Sequence, residues 1–97
     1  MVEGKYSIEL KTPRGCENGI LLIIQQGTNI YGSITYMGST YKFSGGKVDN
    51  YNFKFSGEFK WLFMRIPYDV EGKVIKDKLT GRVKTKYGEF EVKGNKI

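Results

Sequence analysis

The chain has 97 residues, 39% hydrophobic and 14% aromatic, with a net charge of +6 and one cysteine. It has no histidine, which removes the usual general base, the Ser-His and Cys-His nucleophile pairs and the commonest metal ligand. It has no alanine and 13 glycines, each costing roughly 1 kcal/mol against Ala inside a helix, so the composition argues for strands.

The opening Met1-Val2-Glu3-Gly4-Lys5 leads into no apolar segment, which reads as neither signal peptide nor anchor. The longest apolar run, Ile20 to Ile24, is far below the roughly 20 residues of a bilayer span. No membrane span is expected, and one cysteine forms no internal disulfide, so the expected localisation is cytoplasmic.

The first strand is predicted over Lys5–Lys11, where Tyr6, Ile8 and Leu10 alternate with polar residues. The loop Pro13-Arg14-Gly15-Cys16 follows, where Arg14 could lower the thiol pKa, although a lone loop cysteine is more often incidental. A strand is predicted over Gly19–Gln26, whose run Ile20-Leu21-Leu22-Ile23-Ile24 is apolar on both faces, as is Trp61-Leu62-Phe63-Met64. Leu21, Ile23, Trp61 and Phe63 are therefore expected to form an interaction surface. Further strands are predicted over Asn29–Tyr36, Thr40–Gly46, Tyr51–Glu58, Leu62–Val74, Lys78–Lys86 and Glu89–Lys96. Gly27-Thr28, Met37-Gly38, Asp49-Asn50, Lys76-Asp77 and Tyr87-Gly88 supply the turns. Connections this short make neighbouring strands antiparallel. No window offers the 3.6-residue apolar period of a helix.

The halves repeat. Ile30-x-Gly32-x-Ile34 returns as Leu79-x-Gly81-x-Val83, and Tyr41-x-Phe43-x-Gly45 as Phe90-x-Val92-x-Gly94. Tyr6-x-Ile8-x-Leu10 is matched to Tyr51-x-Phe53-x-Phe55, and Gly46-Lys47-Val48 to Asn95-Lys96-Ile97, with one extra residue before the turn glycine of the second copy. Residues 1–97 are read as a single domain made of pseudo-repeat halves, about 4–48 and 49–97. Each half alone leaves open sheet edges, and joining them removes those edges. The expected fold is all-β, a single closed antiparallel up-and-down barrel of about eight strands.

Gly4-x-Tyr6-x-Ile8-x-Leu10-x-Thr12-Pro13-x-Gly15, the two Gly-x-Ile/Val strands and Phe43-Ser44-Gly45-Gly46-Lys47-Val48 resemble a group of small Gly-rich β-barrel domains. That group is calycin-like, close to lipocalins in shape. It occurs alone or appended to larger bacterial enzymes, flavin-dependent oxidoreductases among them. The resemblance implies the fold and a larger enzyme partner; it carries no catalytic residues. The Thr12-Pro13-x-Gly15 signature is not repeated in the second half, where Gly57-Glu58-Phe59-Lys60-Trp61 stands.

Function is read in three ways, none needing a metal or cofactor and none enzymatic. First, the chain is a binding module for a small apolar or aromatic ligand in the barrel interior, lined by Tyr6, Gly32, Tyr36, Tyr41, Tyr51, Phe53, Tyr68 and Gly81. The two inward glycines mark either sharp coiling or room for that ligand. Second, it is an assembly domain with a filled core that contacts a second copy or a larger enzyme through its two-faced apolar strands. The third reading, ranked last, starts from the eight basic and three acidic residues of 73–97. Outward Arg82, Lys84 and Lys86 then bind nucleic acid or another anionic surface. Against it, Phe53 and Phe55 are expected inward, away from these cations.

Overall fold

The computed structural model describes residues 2–13, 15–61 and 64–97. Its eight strands are β1 (Gly4–Thr12), β2 (Gly15–Gln26), β3 (Asn29–Tyr36), β4 (Ser39–Asp49), β5 (Asn52–Trp61), β6 (Met64–Ile75), β7 (Lys78–Thr85) and β8 (Gly88–Lys96). Each pairs antiparallel with its sequence neighbour, and β8 returns to β1, giving a closed up-and-down barrel. Among the described residues no helix is long and apolar enough to cross a membrane.

Alternation places the core. Tyr6, Leu21, Ile23, Ile30, Ile34, Phe43, Val48, Phe53, Phe55, Tyr68, Val70, Val74, Leu79, Val83 and Val92 are buried, and their strand neighbours face solvent. Two-residue turns at Gly27-Thr28, Asn50-Tyr51 and Lys76-Asp77 close one end; Met37-Gly38 and Lys86-Tyr87 stand at the other. Met37 with Gly38, and Lys76 with Asp77, both take positive φ, the backbone of hairpin turns that match strand twist. Val2, fully buried, plugs the first end. Its carbonyl accepts the Tyr6 hydroxyl hydrogen bond at 2.6 Å.

Coiling is set by glycine. Gly32 faces Ile23 across the β2–β3 ladder, and Gly81 faces Gly72 across β6–β7. A Cβ on Gly32 would lie 2.8 Å from the Leu22 carbonyl carbon and closer to its oxygen. A Cβ on Gly81 would lie 2.6 Å from the Glu71 carbonyl oxygen. The strands cross closely here, in keeping with the sharp-coiling reading, and backbone occupies the space that the alternative left to a ligand.

The repeat is real but its register differs from the sequence match. Because Ile23–Gly32 corresponds to Gly72–Gly81, Tyr6 corresponds to Phe55, not Tyr51. The turn runs Asn50-Tyr51, with Asn50 at positive φ, so Tyr51 sits at a turn apex and is 60% exposed. Ile34 pairs with Tyr41 as Val83 pairs with Phe90, so the second copy carries no extra residue there. Val48 donates to the Thr28 carbonyl as Lys96 donates to Asp77, which makes Lys96 the partner of Val48 in place of Ile97. A bulge in β4 causes that slip. Ser44 and Gly45 stand opposite the single residue Tyr31, with Gly45 at φ 72°, where glycine is at ease.

Candidate functional site: an aromatic seam between β4 and β5

The bulge also shapes the barrel wall. The β4–β5 ladder holds only Lys47–Lys54, Val48–Phe53 and Asp49–Asn52, whereas β5–β6 runs ten pairs from Asn52–Lys73 to Trp61–Met64. Gly46 lets β5 approach: a Cβ there would lie 2.9 Å from both the Lys54 carbonyl oxygen and the Phe55 Cβ. Beyond this point the backbone ladder ends, and side chains join the two strands. Phe43 stacks on Phe55 at 3.8 Å between ring centroids, and Tyr41 meets Phe59 edge-on at 5.2 Å. The Tyr41 hydroxyl donates across to the Lys60 carbonyl at 3.3 Å, a weak exposed substitute for the missing ladder bonds.

Outside these rings lies a cleft of about 310 Å³ lined by Thr40, Tyr41, Lys42, Glu58, Phe59, Lys60 and Arg65. Tyr41 and Phe59 are its half-buried apolar groups; Lys42, Glu58, Lys60 and Arg65 are exposed. Among the described residues these three cations form no ion pair.

Behind the cleft lies Tyr68, 2% exposed, on β6 directly opposite Gly57 on β5. Its ring crosses the glycine: a Cβ on Gly57 would stand 2.5 Å from the Tyr68 hydroxyl. Phe59 stacks on the ring at 4.4 Å and Phe55 meets it edge-on at 6.2 Å. The hydroxyl therefore lies against β5 at Gly57, between Phe55 and Phe59. Among the described residues it is buried without a hydrogen-bond partner, which costs about 1–3 kcal/mol. Burial pushes its pKa up from 10.0 to about 12.

This shift fixes an alkaline response. Below pH 10 the phenol is protonated in both states and its stabilising contribution is intact. Between pH 10 and about 12 the unfolded chain loses a proton that the folded chain retains, so stability falls. Urea midpoints followed from pH 9 to about pH 12 should decline, with Tyr6, raised by its own burial, adding to the fall. Tyr68→Phe should flatten the decline and leave neutral-pH stability equal or about 1 kcal/mol higher. An unchanged alkaline slope in that variant would show that Tyr68 does not titrate this way.

The expected lumen residues divide. Tyr6, Phe53 and Tyr68 are core, Tyr36 and Tyr41 are half-buried at the Met37-Gly38 end, and Tyr51 leaves the set for its turn. Burial, then a hydrogen bond to Glu17, raises the Tyr36 phenol pKa. Leu21 and Ile23, expected as a contact surface, point inward and are buried. The alternate residues Ile20, Leu22 and Ile24 face out beside Tyr31. Trp61 ends β5, and Phe63 and Arg14 lie outside the described residues. The Cys16 thiol is raised, first by its hydrogen bond to Glu9, opposite to the lowering expected from Arg14.

Arg82, Lys84 and Lys86 do not stand as an open cationic row. Arg82 sits in register between Glu71 and Glu91, and Lys84 between Asp69 and Glu89. Lys84 reaches Glu71 and Glu89 at 3.6 Å each. Lys86 lies in the turn over the Tyr87 ring, 5.3 Å from its centroid. The surrounding outer depression, about 870 Å³, has four basic residues against four acidic ones in its lining and so attracts no single sign of charge.

The sequence reading missed Lys42, Phe59, Lys60 and Arg65. Phe59 was within reach through the alternation of Gly57, Phe59 and Trp61. The cations look like ordinary outward positions until the end of the β4–β5 ladder and the cleft beside it are known. Comparison with protein-family models, with curated proteins and with solved structures found no match.

Proposed function

We propose that this protein is a non-enzymatic binding module that holds a small aromatic molecule in the cleft between β4 and β5. The observation that carries the reading is the three-pair ladder, beyond which the Phe43–Phe55 stack, the Tyr41–Phe59 contact and the Tyr41 hydrogen bond to the Lys60 carbonyl join the strands. The interior first expected to receive a ligand is packed with aromatic and branched side chains, which favours the wall over the lumen. A cleft of about 310 Å³ is at the small end of ligand sites, roughly 300–1,000 Å³, and the Tyr41 and Phe59 rings give it an apolar floor among charged walls.

Titration of the 15N-labelled protein with indole tests this. Saturable amide shifts centred on residues 40–42, 58–60 and 65 are expected. No saturation, or shifts centred on the β7 outer face, would remove the proposal.

Assembly is a second reading, favoured by the uncharged outer stripe of Ile20, Leu22, Ile24 and Tyr31. On a chain of net charge +6, two such stripes meet without opposing like charges. Sedimentation should then show a dimer that Leu22→Lys dissociates; a monomer at all concentrations removes this reading. The resemblance to calycin-like barrels appended to bacterial flavin-dependent oxidoreductases supports a role beside a larger enzyme. The exposed lone thiol suits a reducing, cytoplasmic setting.

A further inference from the structure

Resting on the reading of the β4–β5 cleft as a ligand site, we infer that its ligand is an aromatic carboxylate carrying a hydrogen-bond acceptor at the end opposite the acid. Three features of the seam converge on that chemistry. Tyr41 and Phe59 offer ring faces and edges to a planar group. Lys42, Lys60 and Arg65 surround the outer end with three cations against the single carboxylate of Glu58, and none of the cations is ion-paired among the described residues. Behind Phe59, beyond the residues that line the cleft, the buried Tyr68 hydroxyl lacks a partner among the described residues. It lies against β5 at Gly57, between Phe55 and the same Phe59 that floors the cleft.

The ligand ring lies along Phe59, taking the place of the Tyr41 edge. The Tyr41–Phe59 edge contact and the long, exposed hydrogen bond from Tyr41 to the Lys60 carbonyl must be given up. The acid stays outside among the cations, where partial solvation lowers the cost of placing a charge. The acceptor meets the Tyr68 hydroxyl, which has no hydrogen-bond partner among the described residues. Each end of the molecule thus contributes a separable preference.

The test uses three para-substituted benzenes of similar size with the full chain. These are 4-acetylbenzoate, methyl 4-acetylbenzoate, which lacks the charge, and 4-ethylbenzoate, which lacks the acceptor. At low salt 4-acetylbenzoate should bind about tenfold or more tighter than the ester, as charge-assisted hydrogen bonds do, and roughly threefold to tenfold tighter than 4-ethylbenzoate. Lys42→Gln with Arg65→Gln should erase the first preference and leave the second. Tyr68→Phe, which keeps the ring and its packing, should erase only the second. Equal affinity for all three compounds overturns this inference while the aromatic cleft stands; saturable binding of none overturns both.

Discussion

Gly32→Ala is expected to destabilise the barrel by about 3 kcal/mol or more, at the upper end of overpacking effects. The added methyl would meet the Leu22 carbonyl of β2 and lie 3.2 Å from the Phe43 ring. A peptide carbonyl cannot swing aside as a lysine tip can. Relief therefore requires β2 and β3 to separate, and their ladder runs eight pairs from Gly19–Tyr36 to Gln26–Asn29. For a domain near 100 residues each kcal/mol shifts Tm by roughly 4–8 °C, so a loss of about 12 °C or more should be read in thermal unfolding. Gly45→Ala is the control. Its added methyl meets open space, and only the positive φ of 72° is strained, at about 1–2 kcal/mol. A Gly32→Ala protein melting within a few degrees of the wild type would show that these strands do not cross as tightly as described.

The second large effect is expected at Phe55. Phe55→Ala should cost about 3–5 kcal/mol, the range for truncating a buried aromatic. Phe55 is 3% exposed, stacks on Phe43, and adjoins Phe53 and Tyr68 at 6.1 and 6.2 Å. It is also the first inward residue beyond the last β4–β5 backbone pair, so its ring holds the strands together where hydrogen bonds stop. Urea unfolding should report the loss. Native-state amide exchange should accelerate selectively in β4 from Ser39 to Ser44, because that stretch is tied by ladder only to β3. Uniform acceleration through all strands would show that Phe55 acts as an ordinary core residue with no special part in the seam.

The fold was legible because its signals are local. Tyr6-Ser7-Ile8-Glu9-Leu10 and Phe53-Lys54-Phe55 state their faces by alternation, and Met37-Gly38 and Lys76-Asp77 state hairpins. Several strand limits moved: Ser39 and Asp49 extend β4, and Asn52 opens β5 after a turn that takes Tyr51. That turn shows how a correct strand can carry a misplaced residue. Tyr51 has the parity of Phe53, yet at the hairpin apex parity no longer determines burial. Likewise Ile20-Leu21-Leu22-Ile23-Ile24 is apolar throughout, and only the ladder to Gly32 and Tyr36 decides that Leu21 and Ile23 are the inward pair.

Much of the candidate site was not legible. Tyr41 and Tyr68 were singled out as residues around a ligand, but inside the lumen. Their actual relation depends on how far β4 follows β5. By itself the sequence determined eight antiparallel strands, a wet and a dry face on each, and a repeated plan, because turn geometry and period-2 burial act over a few residues. Only the tertiary structure decided the register of that repeat, the bulge at Gly45, the pairing of Gly72 with Gly81, the early end of the β4–β5 ladder and the cleft that Lys42 and Arg65 share. Those features come from strands closing on partners far away in the chain, where one extra residue shifts every contact beyond it.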